Sequence, residues 1–149
     1  MSDSRFLLWR NWLLAVCAVV IIFGLVIALL SWSPLFGIFN GLVNGVFWNG
    51  SAPDGNTGEF VLWTYGMLGA TMAGWGVTLA FIVFYPFTKK ERWAWNAIVL
   101  SLLLWFAVDT LMSAYTRAYF NVAINIILII AAGIPLIMTR RNFKLVPSP

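Results

Sequence analysis

The chain has 149 residues, 62% apolar and only 9% charged, with nine basic and five acidic side chains and no histidine. A soluble domain averages about 45–50% apolar and about 25% charged, so this composition excludes an ordinary water-soluble globule. The net charge of +4 is spread in a way that also argues against a nucleic-acid partner: the basic residues flank apolar stretches instead of forming one patch.

Four such stretches run over residues 12–30, 60–84, 93–114 and 120–138. Each approaches the ~20 residues that a helix needs to cross about 30 Å of hydrocarbon. The fold class read from them is all-α membrane: an antiparallel bundle of four transmembrane helices in a single domain, 1–149. Arg5 and Arg10 precede the first stretch, Lys89, Lys90 and Arg92 separate the second from the third, and Arg140, Arg141 and Lys144 follow the fourth. Only Arg117 lies on the other side. The positive-inside rule then places both termini in the cytoplasm. The first stretch also follows basic residues, as a signal peptide would. Its length exceeds the 7–15 residues of a signal core, and Pro34 would follow a cut after Ser33, so it reads as an uncleaved anchor. Cys17 within it is the one cysteine; a lone buried thiol acts as a small hydrophobe.

The connection 31–59 opens with Ser33 as a helix cap and Pro34 at the first helical position. Gly37, Gly41 and Gly45 then recur every four residues beside Asn40 and Asn44. A short helix over 34–48 with one small, polar stripe suits the outer membrane interface. Three glycines weaken it, so it needs a partner surface. Residues 49–58, dense in Gly, Pro, Asn and Ser, read as an exposed loop. Asn49-Gly50-Ser51 matches a glycosylation triplet, a pattern too short to be specific.

The second stretch carries Gly66, Ala70, Gly74 and Thr78 at four-residue spacing. Small side chains let helices approach in lipid, so this stripe is expected to pack against another helix of the same chain. The competing reading is an interface with a second copy or a membrane protein partner. Short connections at 86–92 and 115–119 make stretches two to four antiparallel neighbours. Trp9, Trp12, Tyr85, Phe87, Trp93 and Trp95 on one side, and Trp48, Trp63, Tyr115 and Tyr119 on the other, read as interfacial belts.

Asp109 is the one ionisable acid inside a stretch, about 10 Å below the outer end of its helix at 1.5 Å per residue. Such a residue faces the bundle or a wet cavity. In a hairpin centred near Arg117, residues equidistant from the turn share a depth, so Ser113 falls level with Asn121 and Asp109 with Asn125. Each pair along its own helix is i,i+4 and shares a face. A two-rung polar ladder results, which Thr64 and Tyr65 of the second stretch are placed to join. Three roles are open to it: a lock on the hairpin's register, the polar floor of a site for a small lipidic ligand, or part of a proton or ion path.

No catalytic residues, cofactor or metal site are expected. Histidine is absent, no second acid lies in the spans for paired-carboxylate chemistry, and Ser101 and Ser113 have no base nearby in the pattern. Glu91-Arg92 followed by Asn96 is similar in spacing to a run in glutathione-using membrane enzymes. The same residues serve as a helix start with headgroup-binding cations, and that reading is preferred. Tyr85-Pro86-Phe87-Thr88-Lys89-Lys90-Glu91-Arg92-Trp93-Ala94-Trp95, then residues 105–110, Phe120-Asn121, Asn125, Pro135 and Thr139-Arg140-Arg141 resemble a family of small bacterial four-span membrane proteins of unknown function. Lys90 stands where that family often carries Gly. The resemblance spans about half the chain and implies a protein of a bacterial inner membrane, with no activity to carry over. The leading expectation is a non-catalytic accessory or interaction subunit. A binder of a small lipidic molecule comes second, and a small transporter using Asp109 third.

Overall fold

A computed structural model describes residues 2–143; Lys144 and the tail at 146–149 lie outside the described residues. Five α-helices follow one another: α1 Asp3–Leu30, α2 Gly37–Phe47, α3 Gly55–Ile82, α4 Arg92–Tyr115 and α5 Tyr119–Thr139. A 3-10 turn, Pro34–Phe36, leads into α2, a π-helical turn, Val83–Phe87, prolongs α3, and a 3-10 turn, Arg140–Phe143, closes α5. Four of these segments, Asp3–Leu30, Gly55–Phe87, Arg92–Tyr115 and Tyr119–Phe143, are long and apolar enough to cross a membrane. At most 28% of any span's apolar window is buried. The bundle therefore presents grease outward, as a lipid-facing surface does. Its proximal end carries Asp3 and Phe143, and its distal end carries α2 and the Arg117 turn.

The most extensive helix contact joins α1 to α3. Small residues make it. A Cβ on Gly24 would meet Ala73 N and Gly69 O, both at 2.7 Å. One on Gly69 would strike backbone atoms of Gly24 and Ala28, and one on Gly76 would lie 2.8 Å from Ile21 Cγ1. Hydrogen atoms alone fit there, and the close approach gains dispersion contacts where lipid supplies no hydrophobic drive. The expected stripe is displaced. Ala70, Gly74 and Thr78 are exposed and Gly66 is half-buried, and a Cβ on Gly66 or Gly74 would meet nothing within 4 Å. Gly69, Ala73 and Gly76 do the packing instead. Thr78 donates its hydroxyl to Gly74 O of its own helix.

Around the bundle the order is α3, α1, α5, α4. The α4–α5 hairpin packs as its short turn requires, but α3 and α4 touch little despite theirs. Trp75 and Trp105 meet across that gap with ring centres 6.1 Å apart, and rings of that size hold two backbones apart. Proximally, Phe6, Phe87 and Phe143 stack together with centroids 4.7 to 6.1 Å apart and are all buried. They tie α1, the α3 extension and the α5 extension at one end. Lys90 caps this cluster, 5.2 Å from the Phe6 ring and 3.2 Å from Asp3. It does so from a left-handed conformation, φ +60°, which glycine adopts without strain.

Two tryptophans read as belt residues also bond across helices. Pro135 has no N–H, so the carbonyl one turn back at Ala131 lacks its helical donor; Trp12 Nε1 donates to it at 2.9 Å. Trp95 Nε1 donates to Leu136 O near the end of α5 at 3.0 Å. Both bonds satisfy carbonyls that hydrocarbon could not.

Gly69→Ala is expected to lose about 1–3 kcal/mol of stability through overpacking, whereas Gly74→Leu should change the melting temperature in detergent little. The opposite ranking would show that the α1–α3 seam lies elsewhere.

Candidate functional site

The polar residues of the α4–α5 hairpin gather in the distal half because the turn is tight. Arg117 N–H bonds Ala114 O and Ala118 N–H bonds Ser113 O. Arg117 takes φ +63° to allow it. The reversal fixes the depth of both helices. Asn121 Nδ2 donates to Ser113 Oγ at 2.8 Å, the rung that equal distance from the turn requires. The same nitrogen donates to Asp109 Oδ1 at 3.1 Å, and Ser113 Oγ donates to that oxygen at 3.3 Å. Asp109, Ser113 and Asn121 form a closed triangle between the two helices.

The second rung differs from expectation. Asn125 donates to Thr110 Oγ1 at 3.3 Å instead of to Asp109. Asn125 is 1% exposed, whereas Asp109 is half-buried. Bonding the carboxylate to the distal rung keeps a charge away from the fully buried position, where desolvation costs most. Thr64 does not join the ladder; its hydroxyl is spent on Phe60 O one turn back. Tyr65 makes no hydrogen bond to the ladder among the described residues. Its ring lies edge-on to Phe36 and Phe39, 6.0 and 6.4 Å away.

Those rings seat α2 on the bundle. Phe39 also packs against Phe23 and Phe120, and Asn40 Nδ2 donates to Ser31 O at 2.7 Å. The short helix thereby turns Phe39, Val43 and Phe47 over the distal half, where they roof a recess of about 270 Å³. Ile27, Tyr65, Leu68, Met112, Ala118 and Phe120 supply most of its walls, and Ser113, Thr116 and Asn121 its polar side. The glycines of α2 stay clear of it; a Cβ on Gly37, Gly41 or Gly45 would meet nothing within 4 Å. The small, polar stripe thus divides: Asn40 and Asn44 are half-buried, whereas Gly37 and Gly41 are exposed.

The recess unites Ser113, Asn121 and Tyr65 from the expected site and leaves Thr64 outside. Sequence reasoning missed its α2 wall. The i, i+4, i+8 spacing of Phe39, Val43 and Phe47 was the available signal, since such residues share one helix face. Three lining residues, Phe47, Leu68 and Met112, are each about half exposed and mark the mouth. The opening is edged by apolar side chains of α2, α3 and α4. Among the described residues no group of His, Cys, Asp and Glu could hold a metal ion.

No family model, curated protein or solved structure matches the chain.

Removing the triangle's parts should grade its effect on stability. Asp109→Asn keeps shape and an acceptor and should be mild. Asp109→Leu deprives Asn121 and Ser113 of a shared acceptor, and Asn121→Leu removes both interhelical bonds. The last should lose the most, approaching the ~1.7 kcal/mol upper range for such bonds in membranes. Thermal unfolding in detergent gives the order, and equal stability of all three variants would dismiss the triangle as a lock on the hairpin.

Proposed function

We propose that this chain is a non-catalytic, multi-pass protein of a bacterial inner membrane that holds one small lipidic molecule in its distal recess. The basic residues at the proximal end support a cytoplasmic location for both termini, which puts the recess in the outer half of the bilayer. One observation carries the reading: a concave, mainly apolar space is lined on one side by Ser113, Thr116 and Asn121, and its exposed lining residues Phe47, Leu68 and Met112 are apolar. Its volume lies just below the range of small-ligand sites, about 300–1,000 Å³. It suits part of a chain and a small head, not a whole phospholipid. Asp109 here holds Asn121 and Ser113 in place, so it is a positioning residue for the polar side.

An accessory-subunit role is a second reading, favoured by the exposed face of α3 bearing Ala70, Gly74 and Thr78. Lipid alone also accounts for an exposed small-residue face, so the recess takes precedence.

Val43→Trp combined with Met112→Trp should fill the recess. The wild type, purified in mild detergent, should carry a lipid detected by native mass spectrometry. The filled variant should lose it with a melting temperature within a few degrees. Retention of the same lipid by the filled variant, or no lipid on the wild type, would contradict the reading.

Orientation has its own measurement. In a Cys17→Ser background, a cysteine replacing Ser51 should react with an impermeant maleimide in intact cells, and one replacing Lys89 should react only after lysis. Reversed labelling would turn the protein over.

A further inference from the structure

The hydrogen-bond polarity of the recess restricts what it can hold. Asn121 Nδ2 spends its hydrogens on Asp109 Oδ1 and Ser113 Oγ, and Ser113 spends its own on Asp109. A carboxylate only accepts, so the amide cannot be turned round without setting its carbonyl oxygen against Asp109. Thr116 donates its hydroxyl hydrogen to Met112 O at 2.9 Å. The side chains of the polar side therefore face a ligand with acceptors: Asn121 Oδ1 and the Thr116 oxygen. Asn121 Oδ1 is not among the fully buried unpartnered side-chain atoms of the described residues, and Thr116 is half-buried and lines the recess. Tyr65 also lines the recess, and its hydroxyl makes no hydrogen bond among the described residues. The lining has no basic side chain, and the nearest acid is Asp109, bonded directly to Asn121.

We infer that the recess selects an uncharged, hydroxyl-bearing single-chain lipid, of which a monoacylglycerol is the simplest, and rejects anionic lipids. The inference rests on the recess being a ligand site. A hydroxyl head donates to Asn121 and Thr116, and an ester carbonyl accepts from Tyr65. A fatty-acid carboxylate would bring acceptors to acceptors and would lose its hydration against an apolar lining, which costs both interactions. An ammonium head would satisfy the acceptors, but the rest of the lining is apolar and cannot replace its hydration. The chain itself leaves through the mouth at Phe47, Leu68 and Met112 into the hydrocarbon, so the recess need enclose only the head and the first part of the chain.

The test uses the full chain in nanodiscs and four probes that share a twelve-carbon chain: monolaurin, lauric acid, methyl laurate and dodecylamine. Each competes with a fluorescent monoacylglycerol. Monolaurin should displace it at roughly ten-fold lower concentration than laurate or methyl laurate, the weight of one or two hydrogen bonds. Thr116→Val, which removes one acceptor at a half-buried site, should shrink that preference several-fold while methyl laurate binds as before. Equal displacement by monolaurin and methyl laurate would show that the head is not read. Tighter binding of laurate or dodecylamine would overturn the neutral-head assignment while leaving the recess a ligand site. If neither the fluorescent lipid nor any probe binds, the recess reading fails and takes this inference with it.

Discussion

The opening at the distal end of this molecule depends on how closely α1 and α3 approach. Gly24, Gly69 and Gly76 leave no room for a side chain between the two helices. A helix has limited circumference, so drawing α3 onto one side of α1 leaves the other side for α5. The α4 helix joins α5 through the Arg117 turn and is held from α3 by Trp75 and Trp105. The gap that remains between α3 and α4 is not wasted: α2 folds over its distal end, and Leu68 and Met112 edge the opening. Tight packing on one flank thus produces an opening on the other.

Hydrocarbon imposes the second condition, because it offers no hydrogen bonds to a stranded polar group. Several hydroxyls in and beside the spans answer locally: Thr64, Thr71, Thr78 and Thr116 each donate to the carbonyl one turn back. The carbonyl freed by Pro135 takes Trp12 from α1. The α4–α5 hairpin solves the same problem collectively, with Asp109 accepting from both Ser113 and Asn121. A network that spends its hydrogens inward presents lone pairs outward, and that bias underlies the chemical preference inferred for the recess. Structure and the proposed selectivity then share one cause.

The spans were legible in the sequence because about twenty consecutive apolar residues fit little besides a membrane helix. Their ends were less so: α1 begins at Asp3 and α3 at Gly55, well before the apolar runs, since a helix continues past the hydrocarbon wherever its backbone bonds are met. The Ser113–Asn121 rung followed from counting back from a tight turn. Asn125 was misassigned because counting fixes depth but not rotation, and Thr110 sits about 100° round the helix from Asp109. The small-residue stripe failed for a related reason. Strict four-residue spacing drifts about 40° per step, so Gly66 and Thr78 end on different faces, whereas Gly69, Ala73 and Gly76 alternate steps of four and three and stay in line. The α2 wall was hidden in a segment where every face is apolar or small, so the shared face of Phe39, Val43 and Phe47 competes with an equally apolar one of Leu35, Ile38 and Leu42.

The most direct measurement of the recess as a lipid site is nuclear Overhauser spectroscopy on otherwise deuterated protein. Its Asn side-chain amides and Val and Met methyls are protonated, and it is loaded with protonated monolaurin in deuterated nanodisc lipid. Contacts from the Asn121 side-chain amide to the glycerol protons, and from the Val43 and Met112 methyls to the chain, are the predicted result. Chain contacts confined to Val19 and Val108 on the exposed bundle surface, with none to Asn121, would contradict the account.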